Sequence, residues 1–69
     1  MDDVKVTVKV GQLEYDYDII KNTDNYTIMQ QGKQIAVIEY RDEWVQISGK
    51  HLPDGAIEEI IHAIEVNYN

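Results

Sequence analysis

The sequence contains no cysteine and only one proline, and no run of apolar residues is long enough to cross a membrane. Without cysteine the chain can form neither a disulfide bond nor a thiolate metal site, so an efficient core or self-association has to supply its stability. A chain without disulfides fits a reducing compartment. Residues Met1 to Lys5 also lack the basic start and apolar run of a signal peptide. We therefore expect a cytoplasmic protein.

Basic residues are scarce as well, since 6 lysines and arginines stand against 13 aspartates and glutamates, for a net charge of −7. A nucleic-acid binder needs a basic surface to neutralise phosphates, and an anionic membrane repels an acidic protein. We therefore expect neither nucleic acid nor a membrane as a partner. With 69 residues the chain has room for one hydrophobic core, which predicts a single domain spanning residues 1–69.

The segment from Pro53 to Tyr68 is the only one in which apolar residues recur with a clear helical period. Pro53 suits the first turn of a helix, and Asp54 is an alternative N-cap residue. This amphipathic helix is the one element available to cover a sheet. Its apolar stripe is formed by Ile57, Ile60, Ile61, Ile64 and Tyr68, and its polar side by Glu58, Glu59, His62 and Glu65.

Upstream of this helix, apolar residues alternate with polar ones, as they do in half-buried strands. Valines at positions 4, 6, 8 and 10 lead to Gly11-Gln12, which suits a two-residue type II′ turn, and a second alternating run follows from Leu13 to Ile19. Such a turn pairs Val10 with Leu13 and places Val6 opposite Tyr17. The reverse side then carries an acidic face formed by Glu14, Asp16 and Asp18, which lie opposite Lys9, Thr7 and Lys5 respectively.

A second hairpin follows a polar loop that is rich in turn-forming residues. Its strands are predicted from Tyr26 to Gln30 and from about Gln34 to Tyr40, around the turn Gln31-Gly32. If that turn holds two residues, Ile28 faces Ile35 and Tyr26 faces Val37. A fifth strand is predicted from Trp44 to Ser48.

The break from Arg41 to Glu43 leaves two registers open. A two- or four-residue loop pairs Tyr40 with Val45 and moves Trp44 to the core side. A three-residue loop pairs Tyr40 with Trp44, and we favour it because it gathers more β-branched residues under the helix. The core face of the last three strands is then formed by Tyr26, Ile28, Ile35, Val37, Val45 and Ile47.

Together these elements predict an α+β fold with two layers. An antiparallel sheet of four or five strands, built from two hairpins plus a fifth strand, carries the C-terminal helix on one face. The favoured register leaves the outer face of the second hairpin apolar, and exposed clusters of this kind mark interaction sites. The predicted interaction patch is formed by Met29, Ala36, Ile38, Tyr40 and Trp44.

Signals for catalysis, metals or cofactors are weak throughout. Carboxylates on alternate residues of one strand lie about 7 Å apart, too far to share one ion. His51 has no cysteine partner, and Ser48 has no nucleophile-elbow context. The glycines stand singly, so no phosphate-binding loop is formed. We therefore expect no enzyme activity, no cofactor and no metal site.

The favoured functional hypothesis is a small, non-enzymatic protein-interaction module that forms a homodimer through its second hairpin. An alternative is an acidic adaptor or inhibitor that binds a basic protein through the acidic face and the acids of the helix. A second alternative is a small enzyme that uses His51.

Overall fold

The computed structural model describes residues 3–53 and 55–68. Its five strands form one antiparallel sheet in the order β1-β2-β3-β4-β5, and its helix packs against one face. The predicted two-layer α+β fold is therefore confirmed. The elements are β1 (Val4–Val10), β2 (Leu13–Lys21), β3 (Tyr26–Gln30), β4 (Lys33–Arg41), β5 (Glu43–Gly49) and α1 (Ala56–Tyr68). We call the face beneath α1 the inner face and the opposite one the outer face.

The first hairpin has the predicted register over its whole length. Val10 pairs with Leu13, Val6 with Tyr17 and Lys5 with Asp18, without a bulge. Gly11 has a φ of 64°, and only glycine adopts such a φ without strain at the first position of a type II′ turn. The valines of β1 therefore lie on the inner face and the lysines on the outer face.

The second hairpin departs from the predicted register. Its turn holds two residues, and Met29 pairs with Gln34 as expected, but a β-bulge then shifts the pairing so that Ile28 lies opposite Ala36. Ile28 therefore does not face Ile35, and Tyr26 faces Ile38 where Val37 was predicted. Because side chains alternate between faces, an extra residue in one strand exchanges the faces of everything beyond it.

The β4–β5 hairpin resolves the register that the sequence left open. Tyr40 pairs with Trp44, as in the favoured three-residue loop. A second irregularity, between Val37 and Ile38, then places Val37 opposite Ser48 and leaves Ile47 without the predicted partner.

The composition of the core changes as a result. Ala36 and Ile38 are each 1% exposed on the inner face, where the sequence placed them outside. Val37 is also buried, but it lies on the outer face between Thr27 and Ser48. The fully buried cluster consists of Val8, Tyr17, Ile19, Ile28, Ala36, Ile38, Leu52, Ala56, Ile60 and Ile64.

The helix begins later than predicted, at Ala56 and not in the region of Pro53. The N–H group of Ala56 donates a hydrogen bond to the carbonyl oxygen of Pro53, at 3.0 Å. The alternative N-cap residue, Asp54, lies outside the described residues. Ile60 and Ile64 are fully buried, whereas Ile57 and Ile61 pack at the margin of the core. The predicted apolar stripe is therefore confirmed, and Ile60 and Ile64 form its centre. No described helix is long and apolar enough to span a bilayer.

Candidate functional site

The predicted interaction patch is not assembled. Ala36 and Ile38 belong to the core, and Met29 lies on the outer face opposite Asp18. Tyr40 lies two residues from Ile38 in β4, and Trp44 lies two residues from Gln46, the partner of Ile38 in β5. Because side chains alternate between the faces of a sheet, both lie on the inner face with Ile38. The bulge in β4 is the physical cause of this correction, since it exchanges the faces of the residues between Ala36 and Tyr40.

The structure instead brings four aromatic residues together at one margin of the inner face. The ring centroids of Tyr40 and Trp44 are 5.4 Å apart, and those of Tyr26 and Trp44 are 5.6 Å apart. Tyr26 also contacts Tyr68 of the helix, at 5.6 Å. The tilted and edge-on orientations are those in which aromatic pairs attract each other. We name this group, Tyr26, Tyr40, Trp44 and Tyr68, the aromatic surface.

The aromatic surface is anchored at one end and open at the other. The Tyr68 hydroxyl donates a hydrogen bond to the carbonyl oxygen of Ile19 at 3.3 Å, and the ammonium group of Lys21 lies 5.8 Å from the Tyr68 ring centroid. Tyr40, by contrast, is 60% exposed, and Trp44 is half-buried on the edge strand β5. Large aromatic side chains that are held in place but remain accessible are typical of interface centres.

The predicted acidic face exists, but each of its carboxylates has a partner on β1. Asp18 forms an ion pair with Lys5 at 3.1 Å, and Glu14 forms one with Lys9 at 3.6 Å. Asp16 accepts a hydrogen bond of 2.8 Å from the hydroxyl of Thr7. Much of the charge that a basic partner would contact is therefore already compensated within the hairpin.

His51 lies in the connection between β5 and α1, beside a hollow of about 310 Å³. Tyr15, Tyr17 and Lys50 line the same hollow. Burial, with a smaller contribution from neighbouring Tyr15, raises the pKa of Tyr17. Among the described residues the imidazole of His51 makes no hydrogen bond or ion pair, so nothing there orients it as a base.

In residues 3–53 and 55–68, no group of three or more histidines, aspartates or glutamates could hold a metal ion. His62 is exposed on the polar side of α1. The glycines of the described turns remain separate along the chain.

Sequence reasoning missed Tyr26 and Tyr68 as members of a surface, because it treated both as core residues. The signal that could have revealed the altered register is the run from Ile35 to Ile38, in which apolar residues follow one another without alternation. A strand with one solvated face normally alternates, so such a run is compatible with a bulge.

The fold thus defines the chain as a two-layer α+β protein with an aromatic margin. Comparison of the chain with protein families, with curated proteins and with solved structures finds no match.

Proposed function

We propose that this protein is a non-enzymatic protein-interaction module that binds a partner protein through the aromatic surface. The observation that carries the proposal is the exposure of Tyr40 beside the half-buried Trp44, with Tyr26 behind them. Exposed aromatic rings that are already packed against one another lose little conformational entropy on binding. The partner contributes an extended or helical segment that packs large apolar side chains against the exposed sides of these rings. The cytoplasm, indicated by the composition, remains the proposed location.

The net charge of −7 favours a partner segment that also carries lysine or arginine. Long-range attraction would accelerate the encounter, and an arginine could stack on the Trp44 ring. The basic partner of the alternative hypothesis therefore fits the aromatic surface better than the acidic face, whose carboxylates are paired with Lys5, Thr7 and Lys9. An enzyme that uses His51 has less support, because the described structure offers no hydrogen-bonded partner for the imidazole.

The proposal is tested by selecting peptides from a displayed random library against the native protein. Trp44 is the only tryptophan, so its fluorescence reports directly on occupancy of the aromatic surface. We expect the selected peptides to combine large apolar residues with basic ones, to change the Trp44 emission, and to bind more weakly as salt concentration rises. The Tyr40→Ala variant should bind at least about tenfold more weakly, as expected for an interface hot spot.

Leu13→Ala is the matched control, because Leu13 is 61% exposed and Tyr40 is 60% exposed, but Leu13 lies beside the first turn. It should bind the same peptides with unchanged affinity. If the selected peptides bind the native protein and Tyr40→Ala equally well, the aromatic surface is not the binding site.

A further inference from the structure

The first strand reads the same in both directions. β1 consists of the 7 residues Val-Lys-Val-Thr-Val-Lys-Val, with Thr7 at the centre. In an antiparallel pair formed by two copies of this strand around Thr7, every residue meets one of its own type. Valine meets valine on the inner face, and threonine meets threonine at the centre of the outer face.

β1 is also an edge strand with a regular backbone. It lies at one end of the strand order and pairs with β2 without a bulge, whereas the pairing of β5, at the other end, is interrupted. A two-residue turn makes Val10 and Leu13 a hydrogen-bonded pair, and such pairs alternate along the ladder. The backbone N–H and C=O groups of Lys5, Thr7 and Lys9 therefore point towards the free edge. Among the described residues, no turn, loop or cap hydrogen bond reaches them.

On the inner face, one side of the helix lies along the same edge of the sheet, that of β1. α1 lies closest to β1, and Tyr68 points from it towards Tyr26 in β3. Val66 lies about 160° around the helix from Tyr68 and therefore points the other way, past β1. Val66 is 65% exposed, and Ala63 on the same side is half-buried. Two copies joined at β1 would bring these helix sides together.

Repulsion between like charges would oppose this pairing, because Lys5 of one copy would face Lys9 of the other. Each lysine already has an acidic partner, Asp18 or Glu14, on β2 of its own copy. Each of the two lysine rows across the joined sheets would therefore contain two lysines flanked by two carboxylates and would carry no net charge. Thr7 would face Thr7, a favourable cross-strand pair.

We propose that the free edge of β1 binds a second copy of this chain, in antiparallel register around Thr7, to form a continuous sheet across a two-fold axis. This homodimer replaces the one expected through the second hairpin. It extends the proposed interaction role and leaves the aromatic surface free, because β5 lies at the opposite edge of the sheet.

Single cysteine substitutions test the register of the two β1 strands in the proposed dimer, since the native chain contains no cysteine. At the axis, the two Thr7 Cα atoms would lie about 5.5 Å apart, within the range of a disulfide bond. Thr7→Cys should therefore form a disulfide-linked dimer under mild oxidation. Lys5→Cys and Lys9→Cys are matched controls, because each cysteine would lie about 13 Å from its equivalent in the other copy. Equal cross-linking of all three variants, or none in Thr7→Cys, would overturn the proposal.

Sedimentation equilibrium provides a second test that needs no oxidation. Native protein should dimerise, and Thr7→Glu should raise the dimer dissociation constant at least about tenfold, because it would place two more carboxylates at the axis beside the two copies of Asp16. Ser48→Glu makes the same change of charge on the outer face of the other edge strand and should leave the constant unchanged, as should Tyr40→Ala. Circular dichroism would show whether each variant is folded. If Thr7→Glu is unfolded, the cross-linking of Thr7→Cys decides the test. A native protein that stays monomeric up to about 1 mM contradicts the proposal.

Discussion

Single glycine residues allow two tight turns and one close contact between strands in this fold. The turn glycines Gly11 and Gly32 follow from the sequence, because each lies in a dipeptide suited to a two-residue turn, and both adopt positive φ. No comparable sequence pattern predicts that glycine is required at position 49. Gly49 has a φ of 100° and lies where β5 crosses the bulge of β4, so close that an added Cβ would overlap with the Ile35 carbonyl oxygen and the Ala36 Cα atom.

Gly49→Ala should therefore cost much more stability than Gly32→Ala. Both positions have positive φ, so both variants incur strain of about 1 kcal/mol or more. At Gly32 nothing obstructs an added methyl group, whereas at Gly49 the obstructing atoms are backbone. We expect Gly49→Ala to lower the free energy of unfolding by at least about 3 kcal/mol, measured by urea denaturation. Equal losses in the two variants would show that β5 does not approach the bulge so closely.

Regular elements were predictable, and irregular ones were not. The first hairpin alternates strictly, so one turn length fits both its apolar face and its ion pairs, and its register follows from the sequence. The run from Ile35 to Ile38 is apolar throughout and suits either face. The run indicates that a bulge is possible, but tertiary packing beneath α1 decides which face each residue takes.

The helix offers a graded test of its packing. Ile60 is fully buried and Ile61 lies at the margin of the core, although both belong to the predicted stripe. Ile60→Ala should cost about 2–5 kcal/mol through lost burial and a cavity, and Ile61→Ala should cost less. Glu58→Ala, on the exposed side, should change stability by no more than about 0.5 kcal/mol. Thermal or urea denaturation would rank the three, and a larger loss for Ile61→Ala would place the buried side of the helix elsewhere.

At the scale of the whole molecule, the layers could be predicted but the candidate site could be predicted only in part. The acidic face lies where expected, because it belongs to the regular hairpin. Of the predicted interaction patch, Tyr40 and Trp44 remain at an accessible margin, whereas Ala36 and Ile38 are core residues. The aromatic surface also needs Tyr68, which comes from the helix, so its assembly depends on a contact between distant segments.

The bulge in β4 places the side chain of Ile38 in the core and leaves that of Tyr40, on the same strand and face, accessible to solvent. Urea denaturation of Ile38→Lys and Tyr40→Lys tests this most directly. Ile38 is 1% exposed and Tyr40 is 60% exposed, so a lysine is buried at the first position and solvated at the second. Burying an unpaired charge costs several kcal/mol, which approaches the whole stability of a small domain. We predict that Ile38→Lys loses cooperative unfolding and Tyr40→Lys retains it; a cooperatively folded Ile38→Lys would contradict the account.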